Sequence, residues 1–278
     1  MSQIVNMPAD AYHADLSAWS RSMLSTFRES KREAYLRYIT KDAPKDEHKE
    51  CMTLGSLAHT MLLEPAKVKE RFAIIPESYL SPGEAIRSKD AKQFVDDAEA
   101  EGLEVVKPKA YKRTERIIES VKKTCGQWLD KATHIEQSVY WKDEVTDLQL
   151  KARPDWIIET ANEAYIFDLK TTTRIIPHTF AKVIETHEYW LQESHYRQGV
   201  FTALRKPAQM FFVGIEQEWP YRSGIFQLCN ETRQKSFETW RCLVSDVATA
   251  IESNNFSDPW EKEITTVTLK DYVFRSNA

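Results

Sequence analysis

Residues 153–170 read RPDWIIETANEAYIFDLK: two apolar runs rich in β-branched and aromatic residues, separated by a short polar turn at Asn162 and carrying acids at their ends. Side chains alternate along a strand with period two, so Asp168 and Lys170 project from one face while Leu169 points toward the core. An acid and an amine then stand side by side where an apolar strand ends. Burying either charge alone is costly, so the two must be paired, solvated or bound to a metal. A second carboxylate from the neighbouring strand completes a site for a hard cation, leaving Lys170 free to act on water or on a phosphate oxygen. The competing reading is two core strands with acids at their ends and nothing more. Against it stands the convergence of three charges, Asp155, Asp168 and Lys170, which a structural hairpin has little reason to retain.

Around this stretch the chain alternates between helical and strand periodicity. Trp19, Met23, Leu24, Phe27, Tyr35 and Tyr38 predict one or two helices within residues 1–40, with Ser17 and Ser20 as N-caps. The charged segment KDAPKDEHKE, 41–50, is expected to be an exposed connection. CMTLGSLAHTMLLEP predicts a helix that packs through Leu54, Leu57, Ala58, Met61 and Leu62 and stops before Pro65. A strand at RFAIIP, a turn at Ser81, Pro82 and Gly83, a polar helix over 87–101, the run VVKP and a helix over 109–130 follow. HIEQSVYW, LQLKARPDWII and EAYIFDLKTT then look like an antiparallel meander. A long helix over 177–204, strands at QMFFVGIEQ and YRSGIFQLC and a last helix over 230–252 complete the pattern.

With 278 residues, 42% of them apolar, the chain can bury a large core as one elaborated domain or two small ones. No repeat or linker divides it, so the simplest account is a single mixed α/β domain: a helical N-terminal region over 1–50, a core over 51–230, and a C-terminal helix and tail over 231–278. No stretch of about 18 uncharged apolar residues is present, and the N-terminus has neither a basic start nor an apolar signal segment, so a cytoplasmic protein with no membrane partner is expected. Cys51, Cys125, Cys229 and Cys242 form no CxxC pair; reduced, mostly buried thiols are expected, with no zinc ribbon or iron–sulfur cluster. The net charge of −4 argues against a nonspecific polycation coat but is compatible with a local basic groove for nucleic acid.

The string RPD followed by DLKTT resembles the core of the PD-(D/E)xK nucleases. GSLAHTMLLEP upstream and QESHY downstream, the latter giving a QxxxY pattern at Gln192 and Tyr196, narrow the likeness to the RecB-like branch and, within it, to the exonuclease VIII (RecE-like) family. It spans roughly residues 50 to 230 and rests on the order and spacing of the motifs together. The resemblance implies a restriction-endonuclease-like core, a central mixed β-sheet flanked by helices. It makes Asp155 and Asp168 metal-binding carboxylates, Lys170 the catalytic lysine, and the main-chain carbonyl of Leu169 a further ligand. Mg²⁺, with Mn²⁺ able to substitute, suits such an oxygen-rich site better than Zn²⁺.

His59 matches the upstream histidine of that branch, although a lone histidine on an apolar helix is more often packed or capping. Glu136 is either an additional acid of the site or an exposed strand glutamate. Gln192 and Tyr196, one helical turn apart, either contact a DNA backbone or support the site, or are a buried tyrosine with a polar neighbour. Arg87, with Lys89 and Lys92, either guides a phosphate backbone or is a solvated face. Trp19, Trp156 and Trp190 are candidates for base stacking, but tryptophans at such spacing are more often core.

The resemblance further implies an exonuclease acting on double-stranded DNA ends in the 5′-to-3′ direction. Such an enzyme leaves a 3′ single strand for an annealing protein, assembles as a ring-shaped homo-oligomer, and serves a phage or prophage recombination system. A structure-specific or single-strand endonuclease, a noncatalytic DNA-end-binding module and a hydrolase of small phosphoesters are the alternatives.

Overall fold

The computed structural model describes residues 2–43, 50–261 and 263–269. In chain order its elements are β1 (Gln3–Val5), α1 (Ala9–Ala14), α2 (Arg21–Glu29), α3 (Lys31–Ala34), α4 (Glu50–Leu63), α5 (Val68–Arg71), β2 (Phe72–Ile74), α6 (Lys89–Ala100), β3 (Glu104–Val106) and α7 (Pro108–Leu129). There follow β4 (His134–Ile135), β5 (Ser138–Lys142), β6 (Gln149–Ala152), β7 (Trp156–Glu159), β8 (Ala164–Thr172), α8 (Pro177–Thr186), α9 (Tyr189–Leu204), β9 (Ala208–Glu216), β10 (Ser223–Phe226) and α10 (Asn230–Ser253).

A five-stranded sheet in the order β10-β9-β8-β7-β4 forms the centre, with β8 and β9 parallel and the other pairs antiparallel. Parallel neighbours need a long crossover, supplied by α8 and α9. The continuous apolar runs of β8 and β9 follow, because both faces of these strands are covered. One face carries Ile157, Ile166, Met210 and Phe212 against Leu191, Val200 and the α10 residues Trp240, Val244 and Val247. The other carries Trp156, Phe167, Val213 and Ile215 against Ala58 and Leu62 of α4 and Ile117, Ile118 and Val121 of α7. On that second face the rings of Trp156 and Phe167 stack at 4.8 Å with an interplanar angle of 3°, and Phe167 continues the stack onto Phe211 at 5.2 Å. This mixed α/β architecture, a central sheet flanked by helices, is the one expected.

Local chemistry places the helix starts. The hydroxyl of Ser20 accepts from the Met23 amide at 3.4 Å and opens α2, as Ser88 does for the Ala91 amide at 3.0 Å in α6. Proline supplies the preset first turn of both α7 and α8.

Several expectations need correction. The meander is split between two sheets: β5 and β6 leave the central sheet and pair with β1 as a second sheet, β1-β5-β6. HIEQSVYW breaks at Glu136, whose φ is +52°, and LQLKARPDWII breaks at Pro154, which has no N–H to give a ladder. Strand β1 was not anticipated, since three edge residues give no periodicity. The long helix over 177–204 is two helices, interrupted at His187 and Glu188, where Glu188 adopts φ +52° and ion-pairs with Arg28. Cys229 and Cys242 are exposed rather than buried, whereas Cys125 is buried; the side chain of Cys51 lies outside the described residues. Most of the expected connection at 41–50 also lies outside them. Trp19 and Trp156 are core residues, and Trp190 lies beneath the Arg28 guanidinium at 5.1 Å.

Helix α9 is set against the sheets through two contacts that yield predictions. A Cβ added at Gly199 would lie 2.5 Å from the buried Trp141 ring, so Gly199→Ala is expected to destabilise the protein by about 1–3 kcal/mol in urea unfolding. His195, fully buried, accepts from the Trp240 indole at 3.1 Å and donates to the Lys151 carbonyl at 2.9 Å, so its ring is neutral. Burial lowers its pKa from 6.5 to about 4, against the upward pull of the Lys151 carbonyl. The unfolded chain therefore takes up this proton first. The stability owed to His195 is complete above pH 6.5 and is lost as pH falls toward 4, at up to about 1.4 kcal/mol per pH unit. The stability advantage of wild type over His195→Gln should accordingly shrink between pH 6.5 and pH 4.5.

Candidate active site

The registers Ile135↔Trp156 and Trp156↔Phe167, continued by one residue, set Glu136, Asp155 and Asp168 opposite one another across β4, β7 and β8. Directly opposed residues on one face are close neighbours, and like charges there repel. All three side chains are nonetheless buried. The backbone locks the row: the Glu136 amide donates to the Asp155 carbonyl at 3.0 Å, and the Leu169 amide donates to Asp155 Oδ2 at 2.5 Å.

Each acid has its own base. His59, carried over the row by α4, lies with Nε2 2.9 Å from Asp155 Oδ1 and 3.1 Å from Glu136 Oε1. Lys170 places Nζ 2.5 Å from Asp168 Oδ2 and 4.3 Å from the centre of the Tyr189 ring, so the acid and amine of DLK do share a face. Arg153 reaches Glu136 Oε2 at 3.1 Å through Nε. Gln192, buried on α9, donates its amide to Asp168 Oδ1 at 2.6 Å.

Burial and mutual repulsion show in the proton affinities. Burial and the neighbouring Asp155 raise Glu136 to about 7, against the pull of His59 and Arg153. Burial raises Asp168 to about 6, with Lys170 opposing and Asp155 assisting. Burial would raise Asp155 as well, but His59, Lys170 and the Leu169 amide outweigh it and its pKa is lowered. Burial disfavours the charged His59 ring, and the surrounding carboxylates, Asp155 foremost, overcome this and raise it to about 9.

His59, Glu136 and Asp155 offer one ligand atom each, all within 4.8 Å of one another. Among the described residues, the buried Glu136 Oε1 accepts no hydrogen bond, while the buried Asp168 Oδ2 has only the Lys170 ammonium, 2.5 Å away, as its partner. The single Nε2–H of His59 is directed at Asp155, which leaves Glu136 Oε1 without a donor. A buried carboxylate oxygen with no donor, beside an imidazole and a second carboxylate, fits a hard divalent cation, and carboxylate oxygens favour Mg²⁺ or Mn²⁺ over thiophilic metals.

Asp155 and Asp168 of the row, with His59 and Lys170, line a cleft of 720 Å³ to which the N-terminal region contributes Tyr12, His13, Arg21, Ser22 and Tyr38. Arg21 and the opening turn of α2 are site features that motif reasoning missed. A serine N-cap at Ser20 was legible, but nothing local says that its helix faces DLK. Tyr196 lines the cleft, and its hydroxyl pKa is raised well above 10 by burial and by Asp168. Arg87 is exposed ahead of α6 and is not among the residues lining the cleft. The structure therefore gathers His59, Glu136, Asp155, Asp168, Leu169, Lys170, Gln192 and Tyr196, and leaves Arg87 outside.

The chain belongs to the PDDEXK-like domain family of unknown function DUF3799, whose model matches residues 20–262. It is thus a member of the PD-(D/E)xK nuclease superfamily, a class that depends on divalent metal. The solved structure of a "Putative exonuclease" from Eubacterium rectale superposes with a TM-score of 0.60, covering 99% of this chain and 100% of its own at 11% identity, a likeness of fold. Protein VC1899 from Vibrio cholerae aligns over 92% of this chain and 60% of its own at 10% identity, with a TM-score of 0.25 that carries no comparison of folds. No curated protein matches the chain. Among the described residues, no helix is long and apolar enough to cross a membrane.

A ligand that binds only the folded state stabilises it by mass action. Mn²⁺ at 100 times its Kd should raise the unfolding free energy by about 2.7 kcal/mol, and Asp155→Asn should abolish that increment.

Proposed function

We propose that this protein is a Mg²⁺-dependent exodeoxyribonuclease, with Mn²⁺ as an effective substitute, that hydrolyses phosphodiester bonds from duplex DNA ends. The observation that carries the reading is the convergence of Asp155, Asp168 and Lys170, in PD-(D/E)xK order, beside His59 in one cleft, with Glu136 3.1 Å from the His59 ring nitrogen. His59, Glu136, Asp155 and Asp168, with the Leu169 carbonyl, would hold the metal, which when bound supplies Lewis acidity toward a phosphate oxygen and an acidified water.

The chain's own groups have separable tasks. Asp155 is fixed by the Leu169 amide, and Asp168 by the Gln192 amide, so both acids are pre-oriented before substrate arrives. Lys170 holds a proton at Nζ next to Asp168 and orients the attacking water or stabilises negative charge on the phosphate. Arg21, at the start of α2, and Tyr196 line the same cleft, where an arginine and a tyrosine hydroxyl suit contacts to the DNA backbone. Arg87, exposed at a distance in sequence from these elements, is retained as a contact to duplex beyond the cleft.

Polarity and biological setting rest on the RecE-like motif set, GSLAHTMLLEP, RPD, DLKTT and QESHY. They support 5′-to-3′ resection by a ring-shaped homo-oligomer in the cytoplasm of a bacterial host, leaving a 3′ strand for an annealing protein of a phage or prophage. The exonuclease description of the Eubacterium rectale neighbour agrees with this choice over an endonuclease.

End-labelled linear duplex with Mg²⁺ provides the test. Release of 5′ label with sparing of covalently closed circles is expected, and Asp168→Ala and Lys170→Ala should each slow release by about 10²–10⁴-fold. Cutting of closed circles would replace the exonuclease reading with an endonuclease, and first release of 3′ label would reverse the polarity.

A further inference from the structure

Arg153 is the one residue of the RPD triplet to which neither motif nor mechanism gives a task. It stands between the end of β6 at Ala152 and Pro154, where the chain passes from the small sheet to the central one. The register of the two strand pairs on either side, Val139↔Ala152 and Ile135↔Trp156, runs unbroken through this gap, so Arg153 faces Ser138 and Asp155 faces Glu136. Strand alternation puts Arg153 and Asp155 on one face, and Arg153 reaches Glu136 along the diagonal.

Three hydrogen bonds fix the guanidinium. Nε donates to Glu136 Oε2 at 3.1 Å, and Nη1 donates to Ser138 Oγ at 2.8 Å and to the Met7 carbonyl at 3.0 Å. The side chain is only 9% exposed, and the fully buried Ser138 cannot move away. Glu136 itself sits at φ +52°, a left-handed conformation that costs a non-glycine residue of order 1 kcal/mol. Glycine would relieve the backbone there, so what the position supplies is the carboxylate. Arg153 takes Oε2 of that carboxylate, while Oε1 is turned to His59, 3.1 Å away, and accepts no hydrogen bond.

We propose that Arg153 is a positioning residue that anchors Glu136 by one oxygen, so that the other is presented to the divalent cation, and that it ties this orientation through Met7 to the segment between β1 and α1. The inference rests on the metal-site reading above. A planar, forked donor bound at three places sets both position and rotation of a carboxylate, which the point charge of lysine does not.

The test is Mn²⁺ binding to the full chain without DNA, followed by electron paramagnetic resonance. Arg153→Lys keeps the charge but loses the fork, and should weaken Mn²⁺ binding about 10–100-fold, as loss of outer-shell partners does elsewhere. Ser138→Ala, a milder change that removes one of the two hydrogen bonds of Nη1, should weaken it in the same direction by a smaller factor. In a Glu136→Gln background, Arg153→Lys should have no further effect. Wild-type affinity in Arg153→Lys overturns the proposal, as does tighter binding in Arg153→Ala, which would mark a purely repulsive charge. An equal loss in the Glu136→Gln background would mean that Arg153 acts on the fold at large, which melting in EDTA would register as well. The parent reading fails separately: if Asp155→Asn leaves Mn²⁺ binding untouched, or wild type binds none, the metal site falls and this inference with it. If Asp155→Asn abolishes binding and Arg153→Lys is silent, only this inference falls.

Discussion

Repulsion within a row of three buried carboxylates is the interaction that the rest of the molecule is arranged around. Two such charges about 4 Å apart repel by about 4 kcal/mol at an effective dielectric constant of 20. That is a large share of the roughly 5–15 kcal/mol by which a folded domain exceeds its unfolded state. Glu136, Asp155 and Asp168 persist side by side because Arg153, His59 and Lys170 stand against them one for one. The compensation is incomplete: two of the acids hold their protons more firmly than a free carboxyl, and the buried Glu136 Oε1 accepts no hydrogen bond. Well-packed apolar residues in the same places would cost less, so the row is an expense that folding alone does not explain.

Every large element near the row either delivers one of these charges or keeps the sheet rigid beneath them. Trp156, Phe167 and Phe211 stack one residue below the acids and lock the β7–β8–β9 register on which their spacing depends. Helix α4 packs by Leu57, Ala58 and Leu62 and thereby holds His59 over Asp155. Helix α9 brings Gln192 to Asp168, and its tight seat on Trp141 at Gly199 sets how far it stands from the strands. The N-terminal region closes the other side: buried Lys151 donates to the carbonyls of Tyr12 and Asp15 and so fixes the end of α1 at the cleft wall.

What could be read in the sequence was what local periodicity encodes. RPDWII and AYIFDLK announced two strands with acids at their ends, and alternation alone put Asp168 beside Lys170. The helices over 109–130 and 230–252 were legible because their apolar faces are long and regular. Glu136 was ambiguous for a physical reason: its orientation depends on a positive φ at a strand break, and a glutamate carries no sign of that conformation. The pairing of His59 with Asp155 joins residues 96 apart, and only the motif order hinted at it. The splitting of the meander was hidden because a strand that changes sheets keeps its alternation, with Pro154 as the sole punctuation. Arg21 escaped because nothing in an N-cap sequence states which cleft the helix will face.

The same charge balance separates the competing functions. A module that merely grips DNA ends needs basic groups that face outward, yet Arg153 and Lys170 are turned inward onto acids. A hydrolase of small phosphoesters draws its affinity from the few groups around the reacting phosphate. Here Asp155 and Asp168 line a cleft that also takes in Arg21 and the first residues of α2, so a substrate extending past the scissile phosphate would meet further binding groups. Binding energy drawn from those remote contacts can hold the reacting phosphate against the repulsive acids, which is how a site too costly for folding alone becomes useful to a polymer-cutting enzyme.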